Sequence, residues 1–144
     1  MLVSEILRIK GNTLFTATPE RSVQDAVNVM AQHDIGSLVI MDRGRMAGLL
    51  TFAEVLKALA ERGGTLGGLT IAEICQRDPL TAAPSIDVNE LRRAMLERHA
   101  RYVPVMDGTT LLGVVSFHDV AKAVLEEQSF ENQMLKSYIQ DSPA

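Results

Sequence analysis

Residues 48–55 read Gly-Leu-Leu-Thr-Phe-Ala-Glu-Val, and residues 113–120 read Gly-Val-Val-Ser-Phe-His-Asp-Val. The same shift of 65 positions holds without a gap from 16–62 to 81–127. A duplicated unit with no third copy does not make a solenoid, which needs about three or more units. Two copies predict two similar lobes packed face to face. A cleft between such lobes meets related residues from both sides, so the repeat bears on function as well as fold.

The 144 residues suit one globular domain, with 47% hydrophobic and 22% charged residues. The net charge is -4 and no block of Lys or Arg stands out, which argues against neutralising a nucleic-acid backbone. No apolar run reaches the ~18–20 residues of a membrane span. The first residues lack a basic segment followed by an apolar one, so no signal peptide is expected. Cys75 is the only cysteine. A lone thiol fits a reducing compartment, and a cytoplasmic protein is the expectation. Its setting on a short amphipathic turn suits a buried structural Cys.

Leu2, Val3, Ile6 and Leu7 are apolar at helical spacing, and 14–17 is a candidate strand. Ser22-x-x-Asp25 marks a helix start, and Val23, Ala26, Val27 and Met30 continue it, predicting a helix over 22–33. The run 37–41 predicts a strand, 42–45 a turn and 46–50 a return strand. A second helix begins at Thr51. The segment 63–68 holds four glycines in six residues and reads as a flexible linker. The order then replays: a helical turn near Ile71, a helix over 87–98, a strand over 102–106 interrupted by Pro104, a turn over 107–110, a strand over 111–115 and a helix over 116–128. Proline lacks a backbone donor, so Pro104 predicts that the lobes are similar but not equivalent. After the repeat, Phe130, Met134 and Tyr138 recur at i, i+4 and i+8, with Leu135 and Ile139 beside them. This is an amphipathic helix, packing either on its own domain or on a second subunit.

Thr51-x-x-Glu54 and Ser116-x-x-Asp119 each sit at a strand-to-helix junction. Hydroxyl, two residues, acid is the capping-box pattern, and capping alone accounts for both pairs. The same geometry suits a nucleotide. A helix N-terminus favours phosphate, and an acid one turn on can accept both hydroxyls of a ribose.

The pattern Gly-apolar-apolar-Thr/Ser-x-x-acid-apolar resembles the signature of the CBS domain, named for cystathionine β-synthase. Thr-Ala-x-Pro before the first helix of each copy, Met41-Asp42 and Met106-Asp107 at strand ends, and Arg101-Tyr102-Val103-Pro104-Val105 are similar to the family's other marks. The resemblance implies an α+β fold of two βαββα-type repeats related by a pseudo-twofold axis, a Bateman module of the free-standing bacterial type, plus a C-terminal amphipathic helix. The boundaries expected are repeat 1 at 1–62, a Gly-rich linker at 63–70, repeat 2 at 71–128 and a helical tail at 129–144. It further implies homodimers, and regulatory clefts that take AMP, ADP, ATP, NAD(H) or S-adenosylmethionine.

Carried over residue by residue, Asp119 holds the ribose and Ser116 sits near phosphate or ribose. Thr81 and Ala82 meet the adenine, and Tyr102, Val103 and Pro104 form an apolar wall. Arg101 and His118 are phosphate candidates. A weaker second set comprises Thr16, Ala17, Gly36, Ser37, Leu38, Thr51 and Glu54. There Glu replaces the usual Asp, and Gly36 and Ser37 stand where Arg101 and Tyr102 stand. No metal site, catalytic residue or catalytic cofactor is expected. His33 and His99 show no metal spacing with each other or with Cys75, and no activated nucleophile or Gly-rich phosphate loop is present. The expectation is a non-catalytic sensor of an adenine ligand acting on an unknown protein effector, with no nucleic-acid or membrane partner. The alternative is a dimeric scaffold with one or both clefts non-binding.

Overall fold

The computed structural model describes residues 1–11 and 13–141, the side chains of 140 and 141 excepted. Eleven elements follow in chain order: α1 (Val3–Lys10), β1 (Thr16–Ala17), α2 (Val23–His33), β2 (Ser37–Asp42), β3 (Arg45–Thr51), α3 (Phe52–Glu61), α4 (Ile71–Ile74), α5 (Val88–Arg98), β4 (Tyr102–Asp107), β5 (Thr110–Ser116) and α6 (Phe117–Asp141). The expected α+β repeat is present twice. The helix starts are capped as their sequences dictate. Ser22 Oγ accepts from the Asp25 amide at 3.0 Å, and an Asp87 carboxylate oxygen accepts from the Asn89 amide at 2.9 Å.

Each lobe centres on an antiparallel hairpin, β2 with β3 and β4 with β5, with the same register break before Met41 and Met106. Arg43 and Gly44 both take positive φ in the first hairpin turn, the backbone that a two-residue hairpin loop requires. The strand over Pro104 is not interrupted: β4 runs through it, with Pro104 opposite Val114. Proline acts on the outer neighbour instead. In the first lobe β1 pairs parallel with β2, and the Val39 amide donates to Phe15 O. Pro104 stands at the matching place without an N–H, and the second lobe keeps only a bridge between Ala82 and Val105.

The opening helices are exchanged. Val3 and Ile6 of α1 are buried in the core that Val88, Leu91, Met95, Val103, Val105, Val115 and Val120 form in the second lobe. Ile71 of α4 is buried with Val23, Ala26, Leu38, Ile40 and Leu50 in the first lobe. The exchange explains the glycine that opens each copy of the repeated motif. A Cβ on Gly48 would lie 2.4 Å from Gln76 O, and one on Gly113 would lie 2.9 Å from a Leu7 methyl. The chain following α4 and the side of α1 fill the space a side chain would need.

Two expectations change. The Gly-rich linker is packed rather than loose: Leu66 and Leu69 lie in the first-lobe core, and the Arg62 guanidinium donates to Thr65 O and Gly67 O. The tail is not a separate helix after 128, since α6 continues unbroken from Phe117 to Asp141. Nor does its apolar face pack on its own domain. Phe130, Met134, Leu135, Tyr138 and Ile139 are exposed, between 58% and 75%. Residues 142–144 of the expected tail, and Asn12, lie outside the described residues. No described helix is long and apolar enough to cross a membrane.

Candidate functional site

The strand-to-helix junctions meet across the lobe interface. Locally each is tied the same way: the Phe52 amide donates to Gly36 O at 3.1 Å, and the Phe117 amide to Arg101 O at 2.8 Å. Tyr102 packs over Gly36 so closely that a Cβ there would fall 1.9 Å from the tyrosine hydroxyl. The absence of a side chain at Gly36 thus admits the ring of the opposite lobe. Tyr102 also meets Phe52 edge-on, with centroids 6.2 Å apart, and the Arg101 guanidinium lies 5.2 Å from the Phe52 centroid.

Two clefts flank this contact. The larger, about 890 Å³, is lined by residues of both lobes, among them Lys10, Phe15, Phe52, Tyr102, Ser116 and His118. The smaller, about 130 Å³, is lined among others by Thr51, Gln76, His99 and Tyr102. Small-molecule sites run to roughly 300–1,000 Å³, so the first is large enough for a nucleotide and the second is not.

In the large cleft the α6 N-terminus faces the open space through Ser116, Phe117 and His118. Ser116 and Asp119 form a reciprocal cap: the Ser116 amide donates to Asp119 at 2.9 Å, and the Asp119 amide donates to Ser116 Oγ at 3.0 Å. Lys10 Nζ lies 2.7 Å from the same Asp119 oxygen and donates to Val114 O at 2.9 Å. Burial acts to raise the Asp119 carboxyl, but the bonds from Lys10 and Ser116 outweigh it and hold the group below its usual value. Phe15 stacks on His33 at 4.3 Å and adds an aromatic wall. The lining side chains thus offer a helix N-terminus, aromatic faces and the cations Lys10 and Arg101.

The smaller cleft repeats the plan with different chemistry. Glu54 accepts from the Thr51 amide at 2.7 Å and the Thr51 hydroxyl at 3.1 Å, completing the cap expected from sequence. Its other partner is Gln76, whose amide nitrogen lies 3.0 Å away. Gln76 also bonds Leu49 in both directions through the backbone, at 2.9 and 2.8 Å. That bridge ties the chain after α4 onto β3 at the edge of the cleft. On the opposite side the equivalent carbonyl, Val114 O, accepts from the Lys10 side chain, and the large cleft opens there.

The structure regroups the predicted site residues. Ser116, His118, Arg101 and Tyr102 line the large cleft, and so do Gly36 and Ser37, which the sequence had placed in the second set. Thr51, Arg101 and Tyr102 line the small one. Thr81 and Thr16 are exposed and line neither cleft. Ala82, Val103, Pro104, Ala17 and Leu38 are buried in the two lobes. Asp119 stands behind Lys10, and Glu54 behind Gln76. A set drawn lobe by lobe is therefore not a set drawn cleft by cleft, because each cleft takes its walls from both repeats. Lys10, Phe15 and Phe52 were missed. The phenylalanines had a signal, being aromatic beside Thr16 and Thr51. Lys10 had none, because only the helix exchange brings it to Asp119.

Sequence comparison matches the CBS domain at residues 3–61 and again at 71–126. The chain belongs to the CBS domain family, as a tandem pair. It is 29% identical over 147 aligned positions to the mitochondrial CBS domain-containing protein CBSX3 of Arabidopsis thaliana, covering 96% of this chain and 71% of that one. Among solved structures it resembles a CBS-domain containing protein from Agrobacterium tumefaciens, with TM-score 0.81 and 27% identity over 85% of this chain and 98% of that one. It also resembles the CBS domain pair of protein MJ0100 in complex with 5′-methylthioadenosine and S-adenosyl-L-methionine, with TM-score 0.77 and 28% identity over 88% of this chain and 98% of that one.

Proposed function

We propose that the chain is a non-catalytic regulatory module that binds an adenine-containing ligand in the large cleft and acts on a protein effector as a homodimer. The observation that carries the reading is the large cleft itself. A volume of about 890 Å³ opens on the N-terminus of α6, beside the Ser116–Asp119 pair and between aromatic side chains. A helix N-terminus suits phosphate, aromatic faces suit a base, and a carboxylate suits ribose hydroxyls. The kinship with a CBS domain pair solved with two adenosine derivatives supports the same class of ligand. Ser116 Oγ serves as a helix cap, accepting from the Asp119 amide at 3.0 Å. Exposure of the α6 apolar face supports the homodimer. For the small cleft the scaffold reading is favoured, since Gln76 holds Glu54 and about 130 Å³ remains.

The test is thermal unfolding and calorimetry with AMP, ADP, ATP, NAD, NADH and S-adenosylmethionine, on wild type, Asp119→Ala and Glu54→Ala. A ligand at about 100 times its Kd stabilises by roughly 2.7 kcal/mol, a rise of several degrees. Asp119→Ala is expected to abolish most of that rise, and Glu54→Ala to leave it nearly intact. Absence of both a melting shift and a heat with every ligand would leave only the scaffold.

A further inference from the structure

The acid beside each cleft is already occupied, and by different chemistry on the two sides. Glu54 is held by a neutral amide, Gln76, whereas Asp119 is held by an ammonium, Lys10, at 2.7 Å. Lys10 is the last residue of α1, and Gly11 (φ 91) turns the chain away directly after it. The C-terminal end of a helix favours a cation, so α1 itself helps to hold the charge at this place. The residue both lines the large cleft and stands in front of Asp119.

We propose that Lys10 determines the ligand specificity of the large cleft, restricting it to nucleosides that carry a negative charge, such as a 5′-phosphate. The proposal rests on the reading of that cleft as an adenine-ligand site. A ribose that engages Asp119 competes with Lys10 for a carboxylate whose Oδ2 already accepts from Lys10 Nζ and the Ser116 amide. The ammonium then keeps the Val114 carbonyl but gives up its anionic partner, with Arg101 as a second cation in the same lining and Asp34 the one carboxylate among the described lining residues. A neutral nucleoside supplies nothing in exchange for the broken pair. A phosphorylated nucleoside supplies an anion to which Lys10 can swing while its stem stays in place. Specificity is a difference of two binding free energies, and here the difference arises because the neutral ligand strands a cation.

The experiment is isothermal titration of the full chain with adenosine and with AMP, for wild type, Lys10→Gln and Lys10→Arg. Apo melting curves show that each variant is folded. Gln retains a donor for Val114 O without the charge, and Arg retains the charge. Wild type is expected to prefer AMP. In Lys10→Gln adenosine binds more tightly and AMP more weakly, so the preference falls by about fivefold or more, the scale of one partly exposed ion pair. Lys10→Arg keeps the preference. The opposite signs for the two ligands separate this role from a general loss of fold, which weakens both. A preference in Lys10→Gln that stays within about twofold of wild type overturns the role of Lys10 while leaving the adenine site standing. So does adenosine weakening together with AMP. Absence of binding by either ligand to wild type overturns both this proposal and the reading beneath it.

Discussion

Asp119 is held below its usual pKa because Lys10 and Ser116 bond its ionised form more than burial opposes it. A carboxyl depressed in the folded state stabilises the fold above its unfolded pKa. That stability is lost as the pH falls through the lower, folded value. Melting curves between about pH 7 and pH 3 are therefore expected to show Asp119→Asn less stable than wild type at neutral pH. The gap narrows toward the acid end, as the wild-type carboxyl begins to be protonated too. A gap that persisted unchanged would remove the Lys10 pair from the account. At Gly48 and Gly113 the residue scale is steric. Gly48→Ala drives a methyl against the Gln76 carbonyl, a backbone atom that cannot swing aside. The expected loss is about 1–3 kcal/mol by denaturant unfolding.

At the scale of elements, the helix most at odds with its surroundings is α6. Its first half packs through Val120, Ala123 and Val124 in the second-lobe core. Its second half carries five large apolar side chains in solvent. Residues 129–139 are exposed throughout, so deleting 129–144 should change the intrinsic stability of a monomer by less than about 1 kcal/mol. If the apolar face closes a homodimer, the same deletion halves the sedimenting mass. It also abolishes the rise of Tm with protein concentration that linkage requires of a dimer. An unchanged mass would leave the tail without a role in self-association.

For the whole molecule, the exchange of α1 and α4 ties the two cores together. Ile71 opens the second repeat in the chain yet is fully buried in the first lobe. Ile71→Ala is expected to cost about 2–5 kcal/mol. Hydrogen exchange should show the loss first in the amides of β2 and β3, not in the second-lobe strands that follow in sequence. Because each lobe buries the helix that opens the other repeat, unfolding should remain one cooperative transition. Loss of protection confined to β4 and β5 would contradict the exchange.

Much of the fold was legible in the chain because its signals are local. Caps at Ser22 and Asp87, the hairpin turn at Arg43-Gly44, the apolar runs of β2 and β4 and the 65-residue repeat all depend on neighbours in sequence. So does the cap chemistry of Ser116 with Asp119 and Thr51 with Glu54. The partners of those acids were not legible. Lys10 stands 109 positions from Asp119, and Gln76 reaches Glu54 across 22. Nothing in either segment announces the contact, since it follows from packing each opening helix against the opposite core. The duplication alone determined that there are two lobes with matching junctions. Only the tertiary structure decided that each cleft draws on both lobes, that one is several times larger, and that Lys10 occupies its acid. The physical reason is that a repeat specifies what each copy contains, whereas the helix exchange and one backbone bridge at Gln76 set which residues meet across the interface.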